Sequence, residues 1–262
     1  MTIVTGYPNL TDKGRIIAHR GASQAAPENT LAAFRMAQEQ GINWIEFDVS
    51  LLGDGTPVIH HDDTLDRCTS ASGPLSAIGA ADLPDLSAGV THGEAFAHAP
   101  LPTLDAALDL LGDAGMFANL EMKPHDQPRG RIASVVRDAL QTRDWIKDRI
   151  IVSSFDHDEL AELRESMPDL ALAGLWTEPE DGWRKRLTEL RAAALHLHYT
   201  HLSQSLLNEA TSYGFDVRVF TVNDLRVMKP FRDLGLTSIV TDDPPLFLDD
   251  ADWATWAKHG SQ

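Results

Sequence analysis

The strongest constraint on this chain is a rhythm. Short apolar stretches of strand length alternate with longer stretches of helical periodicity, and the pattern recurs along most of the sequence. Strands are read at residues 15–18, 44–49, 116–121, 149–154, 170–176, 194–199, 216–222 and 238–241. Between them, TLAAFRMAQEQG places Leu31, Phe34 and Ala37 on one face and closes on Gly41, with Asn29 or Thr30 available as its cap. LPTLDAALDLLG with Thr103 as cap, RIASVVRDALQ, HDELAELRESM, WRKRLTELRAA, SQSLLNEATSYG and DLRVMKPFRDLG read likewise as helices. Eight strands separated mostly by helices predict an α/β fold, a (β/α)₈ TIM barrel in one domain over 1–262. An open doubly wound sheet is the alternative, but no glycine-rich turn follows the first strand.

One segment breaks the rhythm. From about residue 64 to 100, after the second strand, Gly, Pro, Ser and Ala dominate, as in TSASGPLSAIGAADLPDLSAG. An irregular excursion of this length is uncommon in a compact domain unless it has a function.

Composition narrows the partners. The 262 residues carry a formal charge of −17, so nucleic acid is not expected as a ligand. An anionic substrate would need locally concentrated cations or a metal. The single cysteine, Cys68, excludes an internal disulfide framework and a Cys-rich zinc site. No stretch approaches the ~20 apolar residues that span a bilayer, and MTIVTGYPNLTDKGR lacks the basic start and apolar core of a signal peptide. The expectation is a cytoplasmic protein without stable membrane association; its oligomeric state is not readable.

In a barrel the active site gathers at the carboxyl ends of the strands. His19 and Arg20 follow the first strand, the second contains Glu46 and Asp48, and the third leads to Glu121 and Lys123. Residues two apart share a face of a strand, so each of the last two pairs points one way. Glu46, Asp48 and Glu121 suit Mg²⁺ or Ca²⁺. An ion-pair network with Arg20 and Lys123 would satisfy the same carboxylates without metal, and spacing alone does not choose. His19 and His61 are candidate acid/base groups; His60, of opposite parity, is expected to be packed or solvent-facing.

The ordered series HRG with PENT, IEFDV, HHDDTLDR, LPTLDAAL, NLEMKP, VSSF, FTVN and TDDP resembles the glycerophosphodiester phosphodiesterase family, closest to its short cytosolic bacterial members. The match runs from Arg15 to about Phe247. The resemblance implies a (β/α)₈ barrel with a small insertion after the second strand. It implies metal-dependent hydrolysis of a small glycerophosphodiester to sn-glycerol 3-phosphate and an alcohol. It further implies His19 and His61 as the acid/base pair, Glu46, Asp48 and Glu121 as ligands of one divalent ion, and Arg20 and Lys123 on the phosphoryl oxygens. Glu28 and Asn29 would shape the first loop and cap the next helix. Two departures stand out: Arg67-Cys68-Thr69 where many members have Arg-Thr-Thr, and Phe220 where many have Trp. The rival readings are a phospholipase-like enzyme acting on lipid head groups and a non-catalytic glycerophosphodiester-binding barrel. Against the former, Ala80–Phe96 contains no Lys or Arg.

Overall fold

The computed structural model describes residues 14–258. The amino-terminal stretch scanned for a leader lies, up to residue 13, outside them. In chain order the elements are β1 (Ile16–His19), α1 (Leu31–Glu39), β2 (Trp44–Leu51), β3 (Pro57–Ile59), α2 (Leu104–Ala114) and β4 (Phe117–Met122). Then come α3 (Arg131–Gln141), α4 (Ile146–Arg149), β5 (Ile150–Ser154), α5 (His157–Ser166), β6 (Ala171–Trp176), α6 (Trp183–Glu189) and β7 (Ala194–His198). The remainder is α7 (Gln204–Ser212), β8 (Asp216–Phe220), α8 (Leu225–Met228), β9 (Ser238–Thr241), α9 (Pro244–Leu248) and α10 (Ala251–Lys258).

The sheet runs β1-β9-β8-β7-β6-β5-β4-β2, and β1 pairs with β2 to close it. All eight pairings in the ring are parallel. Closure excludes the open doubly wound sheet and gives the TIM barrel expected from the strand–helix rhythm.

Two cores follow from the alternation of side chains along each strand. Outward residues such as Phe47, Leu120 and Val152 pack with Phe34, Leu108, Val136 and Leu163 of the helices. Inward residues Ile17, Trp44, Ile151, Ala171, Ala173, Ala194 and Val240 fill the barrel. Trp44 fits because β6 and β7 offer alanines; its indole stacks on Phe117 at 5.3 Å. Fully burying one such large apolar side chain contributes roughly 1.5–3 kcal/mol. Arg218 lies over the Trp44 ring at 4.6 Å, and the candidate site residues stand above this packing, at the carboxyl ends of the strands.

Several boundaries differ from expectation, each for a local reason. Thr30 alone caps α1, accepting from the Ala33 amide; Asn29 is turned elsewhere, as described below. β3 is a three-residue antiparallel addition to β2 that begins at Pro57, too short to register as a period. Pro230 stops the helix expected over 224–235, leaving α8 and a single 3₁₀ turn at Arg232–Leu234. The irregular excursion is pinned at its ends by bridges Thr64–Pro74 and Ser87–Pro100. It holds a small core of its own, Leu65, Leu75, Ala88 and Leu101, closed against Leu52 and Val58 of the barrel.

Candidate active site

At the end of β1 the chain turns sharply. Arg20 has φ 56° and Gly21 φ 79°, and a Cβ on Gly21 would lie 2.7 Å from the Ala33 backbone. Only glycine fits there. The turn aims the Arg20 amide at Glu46, whose Oε2 accepts at 3.0 Å, and brings the Arg20 side chain back over the barrel mouth.

Glu46, Asp48 and Glu121 converge there, all buried, with ligand atoms within 4.8 Å of one another. The register explains it, because Asp48 and Glu121 are direct partners across β2 and β4. Lys123 Nζ lies 3.2 Å from Asp48 Oδ1 and pairs with Glu121 Oε1. Arg20 Nε lies 3.2 Å from Asp48 Oδ2. Asn29 completes the shell of Asp48: its Nδ2 donates to Oδ2 at 2.8 Å and its Oδ1 accepts from the Asp48 amide at 3.2 Å. The ion-pair alternative therefore accounts for Asp48 and Glu121. It does not account for Glu46, whose Oε1 is buried with no hydrogen-bond partner.

The electrostatics follow. Burial, then the charges of Asp48 and Glu121, push the Glu46 carboxyl well above its ordinary value. Burial also raises Glu121, to about 7, against the pull of Lys123. Asp48 goes the other way: burial would raise it, but Lys123 and Arg20 hold it well below the usual carboxylate range.

Both histidines stand at the rim, each with a carboxylate behind it. His19 Nδ1 donates to Asp242 Oδ1 at 2.6 Å, and its Nε2 lies 3.8 Å from Glu46. Asp242 also accepts from Ser23 Oγ at 3.0 Å and Asn223 Nδ2 at 2.6 Å. Burial opposes its ionisation, yet these bonds, His19's foremost, bring its carboxyl down to about 2. His61 Nδ1 donates to Asp62 Oδ1 at 2.6 Å. Burial pulls the His61 imidazole below its ordinary value, with Asp48 opposing. With Nδ1 occupied, each ring offers Nε2 for chemistry. His60 points away and is packed, its Nε2 donating to the Thr64 carbonyl at 2.8 Å.

A cavity of about 500 Å³ opens beside the trio, lined by Glu121, Lys123, Ser154, Phe155, His157 and Arg186. Phe155 meets Phe220 edge-on at 6.0 Å, and Phe220 meets His198 at 6.0 Å, so an aromatic rim borders the mouth across β5, β8 and β7.

All seven residues singled out from the sequence thus occupy one rim. Four carboxylates and amides around them were not given these positions. Asp62 and Asp242 back the histidines, Asn29 clamps Asp48, and Glu28 pairs with Arg20 at 2.7 Å rather than capping a helix. Their signals were present in HHDD, TDDP and PENT, but only tertiary placement distinguishes them from ordinary loop residues.

A closed parallel barrel with buried carboxylates, two histidines and two cations gathered at its carboxyl rim has the layout of a barrel enzyme's active site. The comparisons with known proteins specify it. Residues 19–246 match the model of the glycerophosphoryl diester phosphodiesterase family, and the chain belongs to that family. It is 34% identical to a glycerophosphodiester phosphodiesterase of Caldanaerobacter subterraneus subsp. tengcongensis over 236 residues, 88% of this chain and 95% of that one. A phosphodiesterase from Oleispira antarctica, solved in complex with the product sn-glycerol-3-phosphate, superposes with TM-score 0.83 at 34% identity, over 88% and 93% of the two chains. A crystal structure from Silicibacter pomeroyi DSS-3 gives TM-score 0.78 at 25% identity, over 99% and 97% of the two chains. The chain is thus a phosphoric diester hydrolase of the glycerophosphodiester phosphodiesterase type.

Proposed function

We propose that this enzyme hydrolyses small, soluble glycerophosphodiesters to sn-glycerol 3-phosphate and an alcohol. His19 and His61 act as acid and base, and Glu46, Asp48 and Glu121 hold one divalent ion, Mg²⁺ or Ca²⁺. The observation that carries the metal assignment is the buried, partnerless Glu46 Oε1 beside two further carboxylates. Three hard oxygen donors match such an ion, and two cations do not neutralise them. Bound there, the ion would supply charge neutralisation and polarisation of the oxygens attached to it.

The protein's own groups divide the remaining work. Arg20 and Lys123, both largely buried beside the trio, supply positive charge for the phosphoryl oxygens. One histidine takes the proton of the glycerol hydroxyl next to the ester through Nε2, and that oxygen bonds to phosphorus. The other histidine protonates the departing alcohol as its P–O bond breaks, leaving a cyclic phosphate. Water then opens the ring with the proton roles reversed. The product bound to the Oleispira antarctica relative supports the product assignment. The cytoplasmic setting fits a single, buried, free thiol. Among the described residues no helix is long and apolar enough to cross a membrane.

A coupled assay for released glycerol 3-phosphate tests the reading across choline, ethanolamine, glycerol and inositol diesters, with Mg²⁺, Ca²⁺ or Mn²⁺ supplied. At least one diester should turn over, and exhaustive chelation should abolish the activity. Absence of release from all four, or full activity after chelation, refutes the substrate or the metal assignment respectively.

A further inference from the structure

The insertion packs against Leu52 and Val58 and also reaches the rim of the site. Its first turn carries Arg67, whose neighbours Leu65, Cys68 and Thr69 are all buried, and Thr69 Oγ1 donates to the Leu65 carbonyl at 2.7 Å. The turn is therefore anchored, and the guanidinium projects between two active-site carboxylates. Nη1 donates to Glu28 Oε2 at 2.5 Å and Nη2 to Glu28 Oε1 at 2.8 Å. Nε donates to Asp62 Oδ2 at 2.7 Å and Nη2 to Asp62 Oδ1 at 3.0 Å. The same Glu28 Oε1 accepts from Arg20, and the same Asp62 Oδ1 accepts from His61.

We propose that Arg67 is a positioning residue, the link in a continuous chain Arg20–Glu28–Arg67–Asp62–His61 that sets the phosphate-binding arginine and one catalytic histidine relative to each other. The proposal rests on the hydrolytic reading above, and it gives the insertion a task. Two bidentate contacts on one planar fork fix two carboxylates at once, which a lysine's single ammonium cannot do. An isolated ion pair at this exposure would be worth little. Here the value lies in geometry, because Glu28 and Asp62 each have a second partner that touches the chemistry. The other histidine is held differently: Asp242 takes its support from the neutral Ser23 and Asn223. On that side the insertion makes a single backbone contact, His92 Nε2 with the Ser23 carbonyl at 3.1 Å, whereas on the His61 side its Arg67 binds the supporting carboxylate itself.

The test compares R67M, R67K, D62N and the double variant R67M/D62N with wild type in steady-state kinetics. Imidazole N–H proton spectra and thermal melts accompany them. R67M should lose roughly 10- to 100-fold in kcat, the scale of a small misplacement of a reacting group. It should also raise KM, through Arg20. R67K should fold normally and still lose most of that activity. R67M/D62N should be no worse than the poorer single variant, because both act through the same bond. The downfield Nδ1 proton of His61 should shift or vanish in R67M. Wild-type kcat and KM in R67M, or losses that multiply in the double variant, overturn the proposal. If R67M fails to fold, R67K and D62N decide it by the same criteria. An inactive wild type would refute the hydrolytic reading instead, and the His61 proton signal would still report on the link.

Discussion

His60 and His61 are adjacent, yet just beyond β3 their side chains take opposite directions. His60 is buried and bonded to the Thr64 carbonyl, whereas His61 reaches the rim with its side chain 34% exposed. His61→Ala should therefore cost at least ~10²-fold in turnover, the usual scale for removing a general acid or base, with little change in thermal stability. His60→Ala should do the reverse. It leaves a buried carbonyl without its donor, a cost of about 1–3 kcal/mol, while turnover per folded molecule stays near wild type. Kinetics and melts on the two variants check this, and equal losses of turnover with unchanged melting would show that this division is wrong. Strand parity made Glu46 and Asp48 legible as one inward pair. Asp242 was not legible as the His19 partner, because 223 residues separate the two. It also sits in TDDP, where either aspartate could have faced the site.

At the scale of elements, the turn from β1 into α1 decides where Arg20 and His19 point. Gly21 and Gly41 offer a controlled comparison, with φ 79° and 80°. A Cβ at Gly21 would meet Ala33 at 2.7 Å, whereas at Gly41 nothing lies within 4 Å. Both alanine variants carry the strain of a positive φ, about 1–2 kcal/mol; only Gly21→Ala adds a backbone clash. Gly21→Ala should lose about 2 kcal/mol or more and much of its activity as the Arg20 amide leaves Glu46. Gly41→Ala should lose about half that and keep its turnover. Equal effects in melts and kinetics would mean that the turn does not set the site. The strands themselves were readable to within a residue or two, because barrel strands are apolar on both faces and stand out against amphipathic helices. The insertion was readable only as a departure from that rhythm. Its 3₁₀ turns at Leu75–Ala77, Ala80–Asp85 and Glu94–Phe96 have no period to detect. α9 and α10 escaped notice because the acidic run at 249, 250 and 252 interrupts the apolar pattern between Phe247 and Trp253.

For the whole molecule, of net charge −17, the proposed metal site would make protons and a divalent ion competitors for the buried carboxylate trio. Glu121 is raised from its ordinary 4.5 to about 7 in the folded protein, and Glu46 moves in the same direction. A carboxyl raised on folding stabilises the protein fully below its unfolded value. That contribution is lost as pH climbs through the folded value, here between about 4.5 and 7 for Glu121. Metal-free protein should therefore lose stability from this site on going from pH 5.5 to pH 8.5. A divalent ion prefers the deprotonated carboxylates, so its affinity should rise over the same interval, with protons released on binding. At a hundredfold excess over its dissociation constant it adds about 2.7 kcal/mol, worth roughly 5–10 °C in a domain of this size. The melting increment produced by Mg²⁺ or Ca²⁺ should thus be larger at pH 8.5 than at pH 5.5. Glu46→Gln should reduce the metal increment and flatten the pH slope of the chelated protein, because it removes one of the two raised carboxyls and relieves the repulsion on the other. Melts of wild type and Glu46→Gln, with EDTA and with metal at both pH values, decide the matter. An increment of the same size at both pH values, or one that survives Glu46→Gln and Asp48→Asn unchanged, would place the ion elsewhere.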